Sequence, residues 1–99
     1  MRLTIQQTRA IKQIAMQLAG EHARVRGFGS RLDDQARGGD LDLMLELPKP
    51  VVNPALLAAQ LSARVSRLMH GRKVDVLLAA PDLMRLPIHD MAFREGVEL

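Results

Sequence analysis

An alternating segment of eight residues, from Asp40 to Leu47, constrains the fold of this chain more than any other feature. Successive residues of a β-strand point to opposite faces of a sheet, so the alternation predicts a strand with leucine along one face. The opposite face carries Asp40, Asp42, Met44 and Glu46. Because the leucines need an apolar layer against them, the segment predicts a sheet covered by helices on that face.

The remaining segments supply the other elements of such a sheet. Helices are predicted over Thr4–Leu18, where Thr4 and Gln7 have capping-box spacing, over Pro54–His70 after Asn53, and over Pro87–Arg94. Further strands are predicted over Ala23–Phe28 and Val74–Ala79, with a short tail at Gly96–Leu99. The expected fold is α/β, a small mixed β-sheet with helices packed on one face, in a single domain spanning residues 1–99.

Composition excludes several classes of protein. The chain has no cysteine, which rules out a disulfide scaffold, a thiolate metal site and a cysteine nucleophile. No apolar run is long enough for a signal peptide or a membrane span, so we expect a cytoplasmic protein. The net charge of +3 suits a polyanionic partner, although a solvated arginine-rich surface explains it equally well.

Three aspartates are the candidates for metal binding. Asp40 and Asp42 share one strand face and repel each other, which a divalent cation between them would offset. Asp75 interrupts an otherwise apolar strand. If that strand lies beside the first, the three carboxylates converge in the manner of a two-metal site for phosphoryl transfer. The alternatives are an exposed face of an edge strand for Asp40 and Asp42, and a salt bridge to Arg72 or Lys73 for Asp75.

Gly29, Ser30 and Arg31 follow the predicted strand that ends at Phe28. A glycine lets the backbone approach a phosphate closely, and the amides of the following turn can bind its oxygens. The Ser30 hydroxyl and the Arg31 guanidinium add a neutral and a charged donor. The three residues are therefore a candidate phosphate-binding turn, although junctions between strands and turns use glycine and serine for other reasons as well.

Together these residues read Phe28-Gly29-Ser30, nine intervening residues, Asp40-Leu41-Asp42-Leu43, and then Asp75 on a later strand. The pattern resembles the polymerase-beta-like nucleotidyltransferase superfamily, and within it the minimal nucleotidyltransferases of prokaryotes. Gly39 stands where that family commonly has serine before the first aspartate. The resemblance in motif extends from about Arg24 to Leu78.

The resemblance implies roles for these positions. Gly29, Ser30 and Arg31 would bind the triphosphate, and Asp40, Asp42 and Asp75 would be the catalytic residues and hold two Mg²⁺ ions. Asp75 would also help to deprotonate the attacking hydroxyl. The implied reaction transfers a nucleoside monophosphate, AMP from ATP, to a hydroxyl and releases pyrophosphate.

The resemblance also implies a partner that carries the acceptor, because a chain of 99 residues has no room for an acceptor-binding domain. Similar proteins pair with small helical HEPN-type proteins in toxin–antitoxin modules, where the nucleotidyltransferase is the antitoxin. The alternative is a non-catalytic, nucleotide-binding antitoxin that neutralises its partner by forming a complex. Nucleic-acid binding has less support because aromatic stacking residues are scarce, and homodimerisation is left open.

Overall fold

In a computed structural model of the protein, the described residues, 3–28 and 41–99, form one four-stranded mixed sheet and three helices. In chain order the elements are α1 (Ile5–Ala19), β1 (Arg24–Phe28), β2 (Leu41–Glu46), α2 (Pro54–Leu68), β3 (Val74–Ala79), α3 (Pro87–Glu95) and β4 (Val97–Glu98). The mixed α/β sheet predicted from the sequence is confirmed. None of these three helices has the length and apolar character needed to cross a membrane.

The strands lie in the order β3-β2-β1-β4, so β2 is a central strand. β1 runs antiparallel to β2 and to β4. β2 runs parallel to β3, from Leu41 beside Val74 to Glu46 beside Ala79. Parallel neighbours need a crossover connection, and α2 supplies it between β2 and β3.

The helix ends follow the capping residues that the sequence indicates. The Thr4 hydroxyl oxygen accepts the Gln7 backbone N–H at 3.0 Å, and the Gln7 side-chain oxygen accepts the Thr4 N–H at 2.9 Å, which confirms the capping box. At α2, the Asn53 side chain accepts the Leu56 N–H at 3.1 Å. The helix stops at Leu68, short of the predicted end at His70, because His70 itself has a positive φ of 60°.

The leucine face of the sheet packs against α1 and α2, as predicted. All four leucines of the alternating segment are buried in one apolar cluster. α1 contributes Ile11 and Ala15 to this cluster, and α2 contributes Leu61 and Val65. Burial of these side chains is the main driving force that holds the two helices on the sheet.

The third helix corrects the expectation that all helices lie on one face. α3 packs against the opposite face, where Phe28 and Met44 are buried with Ala92 in a second apolar cluster. The expectation holds for α1 and α2 and is wrong for α3, because Phe28, Met44 and Leu77 make this face apolar enough to need a cover.

The predicted C-terminal tail is also structured. Its residues form β4, which pairs with β1 through Arg26 beside Glu98 and Gly27 beside Val97. Gly96 makes the sharp turn between α3 and β4, where a Cβ would lie 2.3 Å from the Ala92 carbonyl oxygen. Only glycine fits there without a shift of the backbone.

Candidate functional site

Two of the three predicted metal ligands are neighbours in the sheet. Asp42 of β2 and Asp75 of β3 are register partners in the parallel pair. The residues next to them in the sequence, Leu41, Leu43 and Val74, are buried in the leucine-face cluster. Because successive side chains of a strand alternate between faces, both carboxylates point to the opposite face. Neighbouring strands are about 4.8 Å apart, so the two side chains leave the sheet side by side. The expectation that the Asp75 strand lies beside the first aspartate strand is confirmed.

The surroundings of the two aspartates differ. Asp42 is half-buried on a central strand, whereas Asp75 is exposed on the edge strand β3. The edge-strand interpretation is therefore wrong for Asp42. Within the described residues Asp75 forms no ion pair with Arg72 or Lys73, so the salt-bridge interpretation is not supported either.

The aspartates lie at the end of the sheet where β1 finishes. Phe28, the last residue of β1 and the residue before Gly29 in the sequence, is the register partner of Asp42. Phe28, Asp42 and Asp75 therefore form one row across three strands on one face. The first residue of β2, Leu41, is anchored by its N–H, which donates to the Lys73 carbonyl at 2.9 Å. This bond fixes the start of β2 against the start of β3.

The other predicted site residues lie outside the described part of the chain. Gly29, Ser30, Arg31 and Asp40 all fall between residues 28 and 41. Their roles in binding phosphate and metal stay predictions. In residues 3–28 and 41–99 no group of three histidine, aspartate or glutamate side chains is close enough to hold a metal ion.

The donor set that is described fits a magnesium ion. Mg²⁺ prefers hard oxygen ligands and is commonly bound by one or two carboxylates together with substrate phosphates. Asp42 and Asp75 offer two carboxylates on adjacent strands, and the exposure of Asp75 leaves that side accessible to a substrate. Two adjacent carboxylates also repel each other, and a bound cation would remove that cost.

The middle of the carboxylate face is covered by α3, a helix that was predicted from the sequence but was expected on the leucine face. Two arginines stack on Phe93 of α3, with the guanidinium carbons of Arg26 and Arg85 at 5.2 and 4.6 Å from its ring centroid. Arg26 also pairs with Glu98 at 3.7 Å. The helical spacing of His89, Ala92 and Phe93 was the available signal, because it places three buried or half-buried side chains on one side of α3.

Among the described residues, Asp42 and Asp75 are thus the two carboxylates of this face that lie in register on neighbouring strands. Comparisons with protein-family models, with curated proteins and with solved structures found no match to this chain.

Proposed function

We propose that the protein is a Mg²⁺-dependent nucleotidyltransferase that transfers AMP from ATP to a hydroxyl group of a partner protein. The observation that supports this most is the side-by-side placement of Asp42 and Asp75 on parallel strands, in a row with the end of β1. A motif resemblance alone requires only that these residues occur in order along the chain. The register adds that two distant carboxylates share one face, as metal-dependent phosphoryl transfer requires.

Asp42 and Asp75, together with Asp40, would hold the magnesium ions, and Gly29, Ser30 and Arg31 would bind the triphosphate. Bound Mg²⁺ neutralises the phosphate charge that develops during the reaction. The acceptor oxygen forms a bond to the α-phosphorus while the bond from that phosphorus to the β-phosphate breaks. Pyrophosphate leaves with the electron pair, and Asp75 accepts the hydroxyl proton. Most of the rate enhancement in such a reaction comes from positioning and charge stabilisation.

A small helical protein of the HEPN type is the acceptor that we propose, with this chain as the antitoxin of the pair. The exposure of Asp75 at the edge of the sheet supports an acceptor that approaches from outside the chain. A non-catalytic antitoxin with the same nucleotide site is the competing function. The transferase needs the carboxylates of the proposed site to neutralise its partner, whereas the non-catalytic antitoxin does not.

Calorimetric titration of ATP tests the site. With Mg²⁺ present, the wild type should bind ATP, and the Asp40→Asn, Asp42→Asn double variant and the Asp75→Asn variant should not. Glu95→Gln removes an exposed carboxylate of α3 and is the matched control that should bind as the wild type does. ATP binding by the wild type that is unaffected by EDTA and by all of these variants would contradict the proposed site.

Neutralisation of a co-expressed HEPN-type toxin separates the two functions. A nucleotidyltransferase loses neutralisation in the Asp40→Asn, Asp42→Asn variant, and the toxin from wild-type cells carries an added mass of one AMP. If the variant still neutralises and the toxin mass is unchanged, the protein acts by complex formation and the transferase proposal fails.

A further inference from the structure

The outer side of α1 and α2, away from the sheet, carries positive charges only. The two helices have 15 residues each, and their charged residues are Arg9, Lys12, Arg64 and Arg67. Acidic residues make up 11 of the 99 in the chain, yet neither helix contains one. Exposed helices commonly carry both signs, because opposite charges three or four residues apart stabilise the helix. The two helices depart from that pattern together.

One hydrogen bond joins the charged surfaces of the two helices. The Arg64 Nη2 atom donates to the Gln17 side-chain oxygen at 2.6 Å, from α2 across to α1. Gln17 in turn lines an open depression on α1 together with Arg9 and Lys12. Arg67 is three residues beyond Arg64 and is its neighbour on the surface of α2. We refer to these five residues as the basic face.

Most of this positive charge has no counter-charge within the protein. Arg9, Lys12 and Arg67 are exposed, and in the part of the chain that the structure describes no carboxylate pairs with any of them. The position of Arg67 in the last turn of α2 suits the negative end of the helix dipole. That explanation does not extend to Arg9 and Lys12, which lie in the middle of α1.

Two acidic residues border the basic face. Glu21 lines the same depression as Arg9 and Lys12, and Glu98 of β4 lines a second depression that also includes Lys12. Glu98 is already paired at 3.8 and 3.7 Å with two arginines of β1. Glu21 contributes one negative charge against the four cations of the helices, so the basic face keeps a positive net charge.

The other exposed polar side chains of α1 and α2 are all amides. They are Gln6, Gln13, Gln17 and Gln60. Arginine, lysine and glutamine are side chains that bind the phosphates and sugars of nucleic acids. A surface of cations and amides is typical of interfaces with nucleic acid, which are more polar and more positive than interfaces between proteins.

The large apolar side chains exposed on these helices do not form a patch of the kind that a protein partner needs. Ile5 and Met16 are eleven residues apart on α1, which is about 16 Å along a helix, and Leu56 is on α2. Interfaces between proteins have an apolar centre from which charged residues are depleted. On α1 the cations lie between the two apolar residues, so the face favours nucleic acid over an acidic polypeptide.

We propose that the basic face binds duplex nucleic acid through its phosphate backbone, without reading the base sequence. The scarcity of aromatic residues disfavours single strands, whose bases stack on aromatic rings, and it has no bearing on a duplex. Both phenylalanines, Phe28 and Phe93, belong to the cluster on the opposite face of the sheet. Contacts to phosphate are sufficient for binding that is independent of sequence. The proposal does not depend on nucleotidyl transfer.

Fluorescence anisotropy with a labelled DNA duplex of about 20 base pairs tests the proposal. EDTA is present and nucleotide is absent, so that no metal can bridge the duplex to the aspartates. The wild type should bind, with an affinity that falls as salt is raised. Arg9→Gln, Arg67→Gln should weaken binding at least tenfold at low salt and reduce the slope of log affinity against log salt by about 2. Glu21→Gln should strengthen binding severalfold, because it removes the opposing charge.

Lys49→Gln, Arg94→Gln is the matched control, because it removes two exposed cations that lie outside α1 and α2. It changes the net charge by the same amount as the first variant and should bind within about twofold of the wild type. Equal weakening by the two double variants would show that net charge alone attracts the duplex, and it would overturn the proposal.

Two further outcomes would overturn the proposal. The absence of saturable binding by the wild type at about 100 μM protein and low salt would show that the face binds no duplex, since sequence-independent binding is generally tighter than this. Displacement of the duplex by polyglutamate at an equal concentration of charge would show that an acidic polypeptide fits the face as well. We expect polyglutamate to compete at least tenfold more weakly.

Discussion

At the scale of single residues, Asp42 and Asp75 place two negative charges next to each other in the sheet. Like charges directly opposite on neighbouring strands destabilise a sheet by a few tenths to about 1 kcal/mol. Both side chains leave the same face in register, so each lies within the field of the other. Two carboxylates that lie side by side at one end of a sheet are typical of a functional site.

Substitution of Asp75 by asparagine should therefore change the stability mainly when magnesium is present. In EDTA the stability of the variant should lie within about 0.5 kcal/mol of the wild type, because the Asp75 side chain is exposed. In Mg²⁺ at about 100 times its dissociation constant, the wild type should gain about 2.7 kcal/mol, and the variant should lose most of that gain. Urea unfolding under both conditions measures each difference.

Glu95→Gln is the control for this comparison, because it removes an exposed carboxylate from α3 and should respond to Mg²⁺ as the wild type does. If wild type and Asp75→Asn gained equally from Mg²⁺, Asp75 would not be a metal ligand.

At the scale of elements, α3 depends on one histidine at its start. The backbone N–H groups of a first turn have no partners within the helix. His89 replaces a conventional cap by accepting the Leu86 N–H, and its other ring nitrogen bonds to the Leu78 carbonyl of β3. One buried ring thus joins the beginning of α3 to the edge strand that carries Asp75.

Replacement of His89 by phenylalanine keeps a buried ring and removes both hydrogen bonds. We expect a loss of about 2–4 kcal/mol of unfolding free energy, because a partly buried donor and a buried acceptor each lose their partner. His22→Phe changes an exposed histidine in the same way and should cost less than about 0.5 kcal/mol. Urea unfolding measures both values. Equal, small losses in the two variants would contradict the role of His89.

At the scale of the whole molecule, the sheet is covered on both faces. α1 and α2 bury the leucine face, and α3 buries the middle of the carboxylate face, leaving the row with Asp42 and Asp75 at one end and Glu46 at the other. The two ends of this face are thus separated by α3 and its contacts.

Substitution of neighbouring residues on the two faces tests this layered arrangement. Leu43 and Met44 are both fully buried, on the leucine face and beneath α3 respectively. Leu43→Ala and Met44→Ala should each cost about 2–5 kcal/mol, because each leaves a cavity in a closed layer. Thermal or urea unfolding gives the two values. A cost below about 0.5 kcal/mol for Met44→Ala would show that α3 does not cover this face.

The sequence by itself determined most of the helices and strands of this protein. It also determined the apolar layer on the leucine face, but not the one beneath α3. Capping residues such as Thr4 and Asn53 act within a single helical turn, so their effect is visible locally. The alternation of β2 likewise assigned its leucines to the core, because side-chain direction in a strand depends only on position along it.

Tertiary structure alone decided which elements became neighbours. The register of Asp42 with Asp75 depends on how α2 returns the chain to the sheet, and thirty-two residues separate the two aspartates in the sequence. The packing of α3 over Met44 and the pairing of β4 with β1 are also contacts between distant segments. Such contacts form because burying apolar surface and pairing strand edges lower the free energy of the whole chain. No local pattern encodes them.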